Sequence, residues 1–293
     1  GGGQGGVRIT FSGGAGSVTT GVDGVYAKAL TNSWSGTVTP SIAGGRFSPT
    51  NRTLGPVDGV VDGIDFQYTP SNIGSGDRYV SPTGSSTFPY TNWAMASTNL
   101  QWAINTAQAG ETVWVTNGTY TLPAAATVAK AITLQSVNGA GATILRHPST
   151  NSECVLSIRY ANAIVSGFTV RDAGSTNGAG VDIQSGYLNN SIVRNNAGVG
   201  VVLRDAETAR MANVLVLKNQ RGIDGTGTVV NCTVVGNAGT GIRASVVFNT
   251  ICDGSIEASD VKFCLAPGLA GGMGNETGDP LFQNDDGEDY HLQ

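Results

Sequence analysis

The feature that most constrains this chain is an internal repeat whose units are strand-like inside and short overall. Segments starting at Asn190 (NSIVR), Asn213 (NVLVL), Asn231 (NCTVV) and Asn249 (NTICD) align without gaps, and Gly167 (GFTVR) joins them. Their starts step by 23, 23, 18 and 18 residues. A unit of that size cannot bury its own apolar face, so the units must stack on one another. Alternation within each unit makes it a strand. Equal strands stacked in the same direction, one per repeat, are the coils of a parallel β-helix.

The alignment assigns faces. Phe168, Ser191, Val214, Cys232 and Thr250 form one inward column, and Val170, Val193, Val216, Val234 and Cys252 form the core ladder beside it. Thr169, Ile192, Leu215, Thr233 and Ile251 fall between them and point outward, an apolar choice for a solvated column. Asn196, Asn219 and Asn237 align at the following turn. Asparagine tolerates the left-handed conformation there and can bond the coils above and below.

Residues 1–70 read differently. VRITFS (7–12), SVTT (17–20), VYAKAL (25–30), GTVTP (36–40) and IDFQY (64–68) are short period-two segments separated by Gly-rich turns, the pattern of a small β-sandwich. An entry segment covers 71–97. One helix is expected over 98–109, with Thr98 and Gln101 at capping-box spacing, Leu100, Ala103, Ile104 and Ala107 on one face, and Gly110 as its stop. It would cover the open end of the β-helix, which occupies 98–293. The fold class is therefore all-β: a small immunoglobulin-like sandwich, then a right-handed parallel β-helix with one N-terminal capping helix.

Two resemblances sharpen this reading. GVRITFSGG, SVTT, GVYAKAL, WSGTVTPSIAGGRFSPTNRTL and IDFQYTP resemble the carboxypeptidase-regulatory-like, immunoglobulin-type modules of large secreted bacterial proteins. Such modules carry one more strand, of the pattern ISGxVT, ahead of the strand that here begins at Val7. Its lack implies an open edge along Val7, Ile9 and Phe11, available for assembly by strand complementation. YVSPTGSST, NLQWAINTAQAGETVWVTNGTY, KAITLQSVNGAGATIL, AIVSGFTV, VVNCTVVGN and GNETGDPLFQNDDGEDYHLQ resemble the pectate-lyase-like group of right-handed parallel β-helix proteins, in its secreted environmental bacterial form. That resemblance implies a fold and an extracellular or cell-surface location. It does not choose among lyases, hydrolases, adhesins and fibres.

The residues themselves offer little chemistry. A polysaccharide lyase needs several carboxylates around Ca²⁺ beside a basic residue. Register puts Asp182, Val202, Asp224 and Arg243 in one outward column, with the two carboxylates two rungs and about 9.6 Å apart; Asp205 would have to swing in from its loop to complete an ion site. A glycosidase pair would sit at the upper limit of useful separation. Arg171 and Arg194 stack on adjacent coils and could hold an acidic sugar or a partner's carboxylate. His147 and His291 have no nucleophile or acid at motif spacing, which excludes a catalytic triad. No cofactor is called for, and an incidental Ca²⁺ on the acidic run 284–291 is the one ion to consider.

Charged residues make up 13% of the chain against about 25% usually. With a net charge of −5 and no Lys/Arg cluster, nucleic acid is excluded as a partner, and no apolar run is long enough to span a bilayer. Cys154, Cys232, Cys252 and Cys264 have no CxxC spacing, so zinc is excluded, and free thiols and disulfides both stay open. The leading expectation is an extracellular structural or adhesive protein, a homo-oligomer or polymer that self-assembles into a filament and meets cell-surface polysaccharide. The alternative is a carbohydrate-active enzyme.

Overall fold

The structure is a computed structural model that describes residues 5–21, 23–42, 45–70, 76–148, 154–269, 271–284 and 289–292. It divides into two compact units, Gly1–Ser75 with Thr87–Pro89, and Gly76–Ser86 with Tyr90–Gln293. The entry segment expected over 71–97 therefore splits. Strand Arg78–Val80 pairs in parallel with Thr112–Val115 and belongs to the β-helix from its first rung.

In the N-terminal unit, Arg8–Phe11 sits between Gly16–Thr19 and Trp34–Ser41, and Arg52–Val57 completes a four-stranded antiparallel sheet. Gly45–Ser48 and Gln67–Pro70 form a separate pair. Val7, Ile9, Phe11, Trp34 and Val38 are the buried core. This corrects the expected assembly edge: the strand that carries Ile9 and Phe11 has a partner on both sides, and its apolar face is spent on the unit's own core. VYAKAL, expected as a strand over 25–30, runs without a ladder partner among the described residues, as does the first part of IDFQY.

The second unit is a parallel β-helix. One face is a nine-stranded parallel sheet from Gly118–Thr121 to Glu276–Thr277. The other two faces merge into a twelve-stranded sheet, because strands such as Leu156–Ser166 and Ala179–Asn189 are long enough to round a corner. Pairing along the nine-stranded face aligns Asn117, Ala142, Gly167, Asn190, Asn213, Asn231, Asn249, Phe263 and Gly274, so successive coils take 25, 25, 23, 23, 18, 18, 14 and 11 residues. The loops between faces shorten while the rungs stay in register.

Register stacks like on like. Val170, Val193, Val216 and Val234 lie on consecutive rungs and are fully buried, with Cys252 next. Asn196 and Asn219 are buried as well: Asn196 Oδ1 accepts from Ala173 N, Asn219 Oδ1 from Asn196 N and Nδ2, and Asn237 Oδ1 from Asn219 N and Nδ2, all within 2.9–3.0 Å. The left-handed residue is the one before each, namely Asn195, Lys218 and Gly236, and Asp172 holds the same place before Ala173 on the preceding coil. That corrects the expectation for these asparagines: the preceding residue turns the backbone, which frees the amide to point inward and cap stacked N–H groups. A second left-handed column does occur at the repeat starts, from Gly167 through Asn190, Asn213, Asn231, Asn249 and Phe263 to Gly274. Beside the amides runs a glycine column. A Cβ on Gly180, Gly200 or Gly222 would come within 2.2–2.8 Å of the next glycine's carbonyl oxygen, so only glycine lets these rungs close.

The helix is shorter than expected, Leu100–Thr106, and its N-cap is Asn99, whose side chain accepts from Trp102 N. Thr98 is engaged by Ser86 instead, and Gln101 bonds Asn105 and Thr127. Lys130 Nζ closes the C-terminal end on the carbonyls of Asn105 and Ala107, each at 2.7 Å. At the same end Arg78 is fully buried against Glu111, with its Nη2 3.1 Å from the carboxylate. Desolvation pushes the Arg78 pKa down, and Glu111 opposes that shift.

All four cysteines are free thiols. Burial pushes the Cys232 and Cys252 pKa values up to about 12.

Two outcomes follow from this packing. Val216→Asp strands a charge between Val193 and Val234 and should cost several kcal/mol, measured by urea unfolding, whereas Leu215→Asp on the partly exposed column should shift stability by no more than about 1 kcal/mol; equal tolerance would mean the columns are misassigned. A thiol reagent at pH 8 should label only Cys154 in the folded protein and all four cysteines in denaturant. Because the buried thiols hold their protons more tightly folded than unfolded, their contribution to stability is intact below about pH 9 and lost as pH rises towards 12. A flat alkaline limb would contradict their burial.

Candidate functional site

Two outward columns carry the candidate residues. The first lies on the twelve-stranded sheet, where Ser157, Asp182, Val202 and Asp224 occupy successive rungs. Asp182 is almost fully buried; Arg204 Nε donates to its Oδ1 at 2.5 Å and Gln184 Nε2 to its Oδ2 at 3.1 Å. Asp224 accepts from Arg243 Nε at 2.6 Å and from Arg221 Nη1 at 3.2 Å. Each carboxylate is therefore already neutralised, and Val202 keeps the two apart.

Asp205 does not swing in. Its Oδ1 accepts from Glu207 N, Thr208 N and Thr208 Oγ1 at 2.8–3.0 Å, which folds its own loop into a tight turn. The Thr208 hydroxyl is the main reason its pKa lies below the ordinary aspartate value. The structure thus brings none of the three aspartates together, and no group of three His, Cys, Asp or Glu among the described residues could hold a metal ion. His147 is buried with Nε2 2.8 Å from the Cys154 carbonyl, a structural contact. Residues 285–288 of the acidic C-terminal run lie outside the described residues, and so does the side chain of His291.

The second column lies on the nine-stranded face and is longer than the sequence reading had it. Arg146, Arg171 and Arg194 occupy three successive rungs. Asp172 Oδ2 sits 3.7 Å from Arg146 Nε and 3.6 Å from Arg171 Nε, so two guanidinium groups share one carboxylate at ion-pair distance, while neither Nε makes a hydrogen bond to a described residue. Both side chains are about a third exposed, at 37% and 33%. Arg146 was missed although its signal was present: TILR at 143–146 matches FTVR at 168–171 and SIVR at 191–194. The lack of an Asn or Gly bend residue, with Ala142 in that place, hid the match.

Two shallow grooves lie on the C-terminal coils and include none of these residues. One of about 420 Å³ is lined by Asn231, Asn249, Phe263 and Glu276, and one of about 450 Å³ by Ile256, Val261 and Asn275.

No protein-family model matches the chain, and no curated protein does either. Among solved structures, ORF18 of Geobacillus virus E2 aligns at 14% identity with a TM-score of 0.41, over 57% of this chain and 48% of that one. The chain thus spans about half the length of that protein. Pectin methylesterase PemA from Erwinia chrysanthemi aligns at 11% identity with a TM-score of 0.40, over 75% of this chain and 99% of that one. Likenesses this weak carry no argument about the site, and the parallel β-helix rests on the register of the chain's own strands.

The two carboxylates should differ in weight. Asp182→Asn weakens a buried charge-assisted pair and should cost about 1–3 kcal/mol, while Asp224→Asn, among half-exposed arginines, should cost under about 1 kcal/mol. Thermal unfolding checks both, and equal losses would place Asp182 in solvent.

Proposed function

We propose that this chain is an extracellular bacterial surface protein, adhesive and structural rather than catalytic, which holds acidic polymers along its arginine ladder. The observation that supports this most is the stack of Arg146, Arg171 and Arg194 with Asp172 as the carboxylate two of them share, in a chain with only 16 Lys and Arg. Rungs repeat every ~4.8 Å, so the guanidinium groups offer a row of fork-shaped donors to a polymer bearing one carboxylate per unit. Water does not compete strongly for arginine, and partial burial strengthens each contact. The N-terminal unit fits an immunoglobulin-type module of such a protein.

The enzymatic alternative asks more of the same surface. A general acid or base needs a carboxyl group free to exchange a proton with substrate. Asp182 and Asp224 are committed to arginines, and Asp205 to its own loop.

Polygalacturonate and neutral dextran separate the readings. The protein should retard on polygalacturonate and not on dextran, with an affinity that falls as salt rises. Arg146→Gln, Arg171→Gln and Arg194→Gln combined should weaken that binding at least tenfold without lowering the unfolding temperature. Asp182, Asp205 and Asp224 changed together to Asn should leave it intact. Unsaturated or newly reducing ends released from the polymer, and lost in the triple Asn variant, would replace the adhesive reading with the enzymatic one.

A further inference from the structure

At the bend into the nine-stranded face, each coil from Gly167 to Gly274 carries one left-handed residue. Six of these seven are Gly or Asn, the types that take this conformation at least cost. The seventh is Phe263, with φ of 54° and 45% exposure. A bulky residue held left-handed is strained, and strain of this kind gathers at working sites. The ring is also fixed in place. Phe248 meets it edge to face, with ring centroids 5.2 Å apart. On the next coil, a Cβ added to Gly274 would come within 2.4 Å of the ring. Backbone, aromatic brace and glycine together hold out an aromatic side chain where the stack itself needs only Asn.

Phe263 lines the groove of about 420 Å³, a volume within the ~300–1,000 Å³ usual for ligand clefts. On the two coils before it, Asn231 and Asn249 stand exposed at the same bend. Asn249 Nδ2 donates to Asn231 Oδ1 at 2.7 Å. That bond leaves Asn231 Nδ2 and Asn249 Oδ1, a donor and an acceptor on adjacent rungs, unbonded among the described residues. Thr233, Ile251 and Leu265 follow one another in register along the groove, half-buried. Glu276, on the next rung, is the one charged residue among its lining. Lys262, beside Phe263 in the chain, is engaged by Asp260 at 2.8 Å.

We propose that this groove binds a neutral, extended glycan of β-1,4-linked pyranoses. Such sugars offer a C–H face that packs on an aromatic ring, and hydroxyls that pair with amides and a carboxylate. A carboxylate without a cation accepts hydroxyls but repels uronates. The groove therefore selects against the acidic polymers proposed for the arginine ladder. Its asparagines and its apolar column repeat at the ~4.8 Å spacing of the rungs. That regular row suits a straight chain with one sugar per rung, and does not suit the flexible α-1,6 links of dextran. A ring already fixed in place loses little freedom when a ligand packs on it. The groove shares no residue with the arginine ladder, so the two binding proposals fail separately.

Calorimetric titration of the intact 293-residue chain with cellohexaose and with chitohexaose tests it. At least one should bind saturably, with an affinity indifferent to salt and to the triple arginine-to-glutamine change. Phe263→Asn should weaken binding at least tenfold without lowering the unfolding temperature, because Asn fills this position on four other coils. If it does lower that temperature, Phe263→Leu takes its place, keeping the apolar bulk and losing the flat ring. Asn231→Gly with Asn249→Gly should also weaken binding at least tenfold, since glycine keeps the left-handed turn and removes both amides. Failure of both sugars to bind overturns the proposal, as does binding indifferent to these changes or lost with the arginines. A groove found filled by residues of the same polypeptide overturns it as well.

Discussion

Parallel coils bond rung to rung, and that bonding places every side chain on top of its counterpart from the coil below. Each column must then consist of residues that tolerate their own company. Valine does so by packing, and hence the ladder through Val170, Val193, Val216 and Val234. Asparagine does so by bonding amide to amide through Asn196, Asn219 and Asn237. Glycine does so by leaving room, in the column through Gly180, Gly200 and Gly222. Charge does so poorly, which is why the arginine ladder is three rungs long, carries Asp172 at its side, and gives way to Leu217 on the next rung.

The same constraint explains how the corners are made. A coil must turn between faces without disturbing the coil above, and a single left-handed residue achieves this with the least backbone. At the bend into the nine-stranded face the asparagines lie outward and exposed. At its far end a left-handed residue precedes an asparagine that is turned inward. Two uses of one residue type, a few positions apart, give the coil both a sharp corner and a capped interior. The first coil has no rung beneath it, and there the helix Leu100–Thr106, Lys130 and the buried Arg78–Glu111 pair supply what a neighbour would have supplied.

How much of this the sequence disclosed follows from the range of each interaction. The repeats of the β-helix were legible because stacking imposes the same short pattern again and again, even where coil length changes. The left-handed positions were placed one residue late at the second turn, because Asp172, Asn195, Lys218 and Gly236 share no side chain chemistry, only a conformation. Arg146 escaped because alignment leaned on the Asn or Gly bend, which is absent before Thr143. The neutralisation of Asp182 depends on Arg204, 22 residues away and outside the aligned pattern. In the N-terminal unit the alternation of VYAKAL was visible, but alternation reports which side chains face a core, not whether a backbone has found a partner.

The shortening of the coils from 25 to 11 residues has a consequence for how the molecule comes apart. A coil that encloses fewer residues buries less apolar surface per rung, yet fixes a rung in the same manner, so its hold on its neighbour is weaker. The taper therefore gives the stack a mechanical polarity, with a thick root at the helix-capped end and a thin tip. Under tension the shorter coils should therefore part from their neighbours before the longer ones do, so that separation proceeds turn by turn and not all at once.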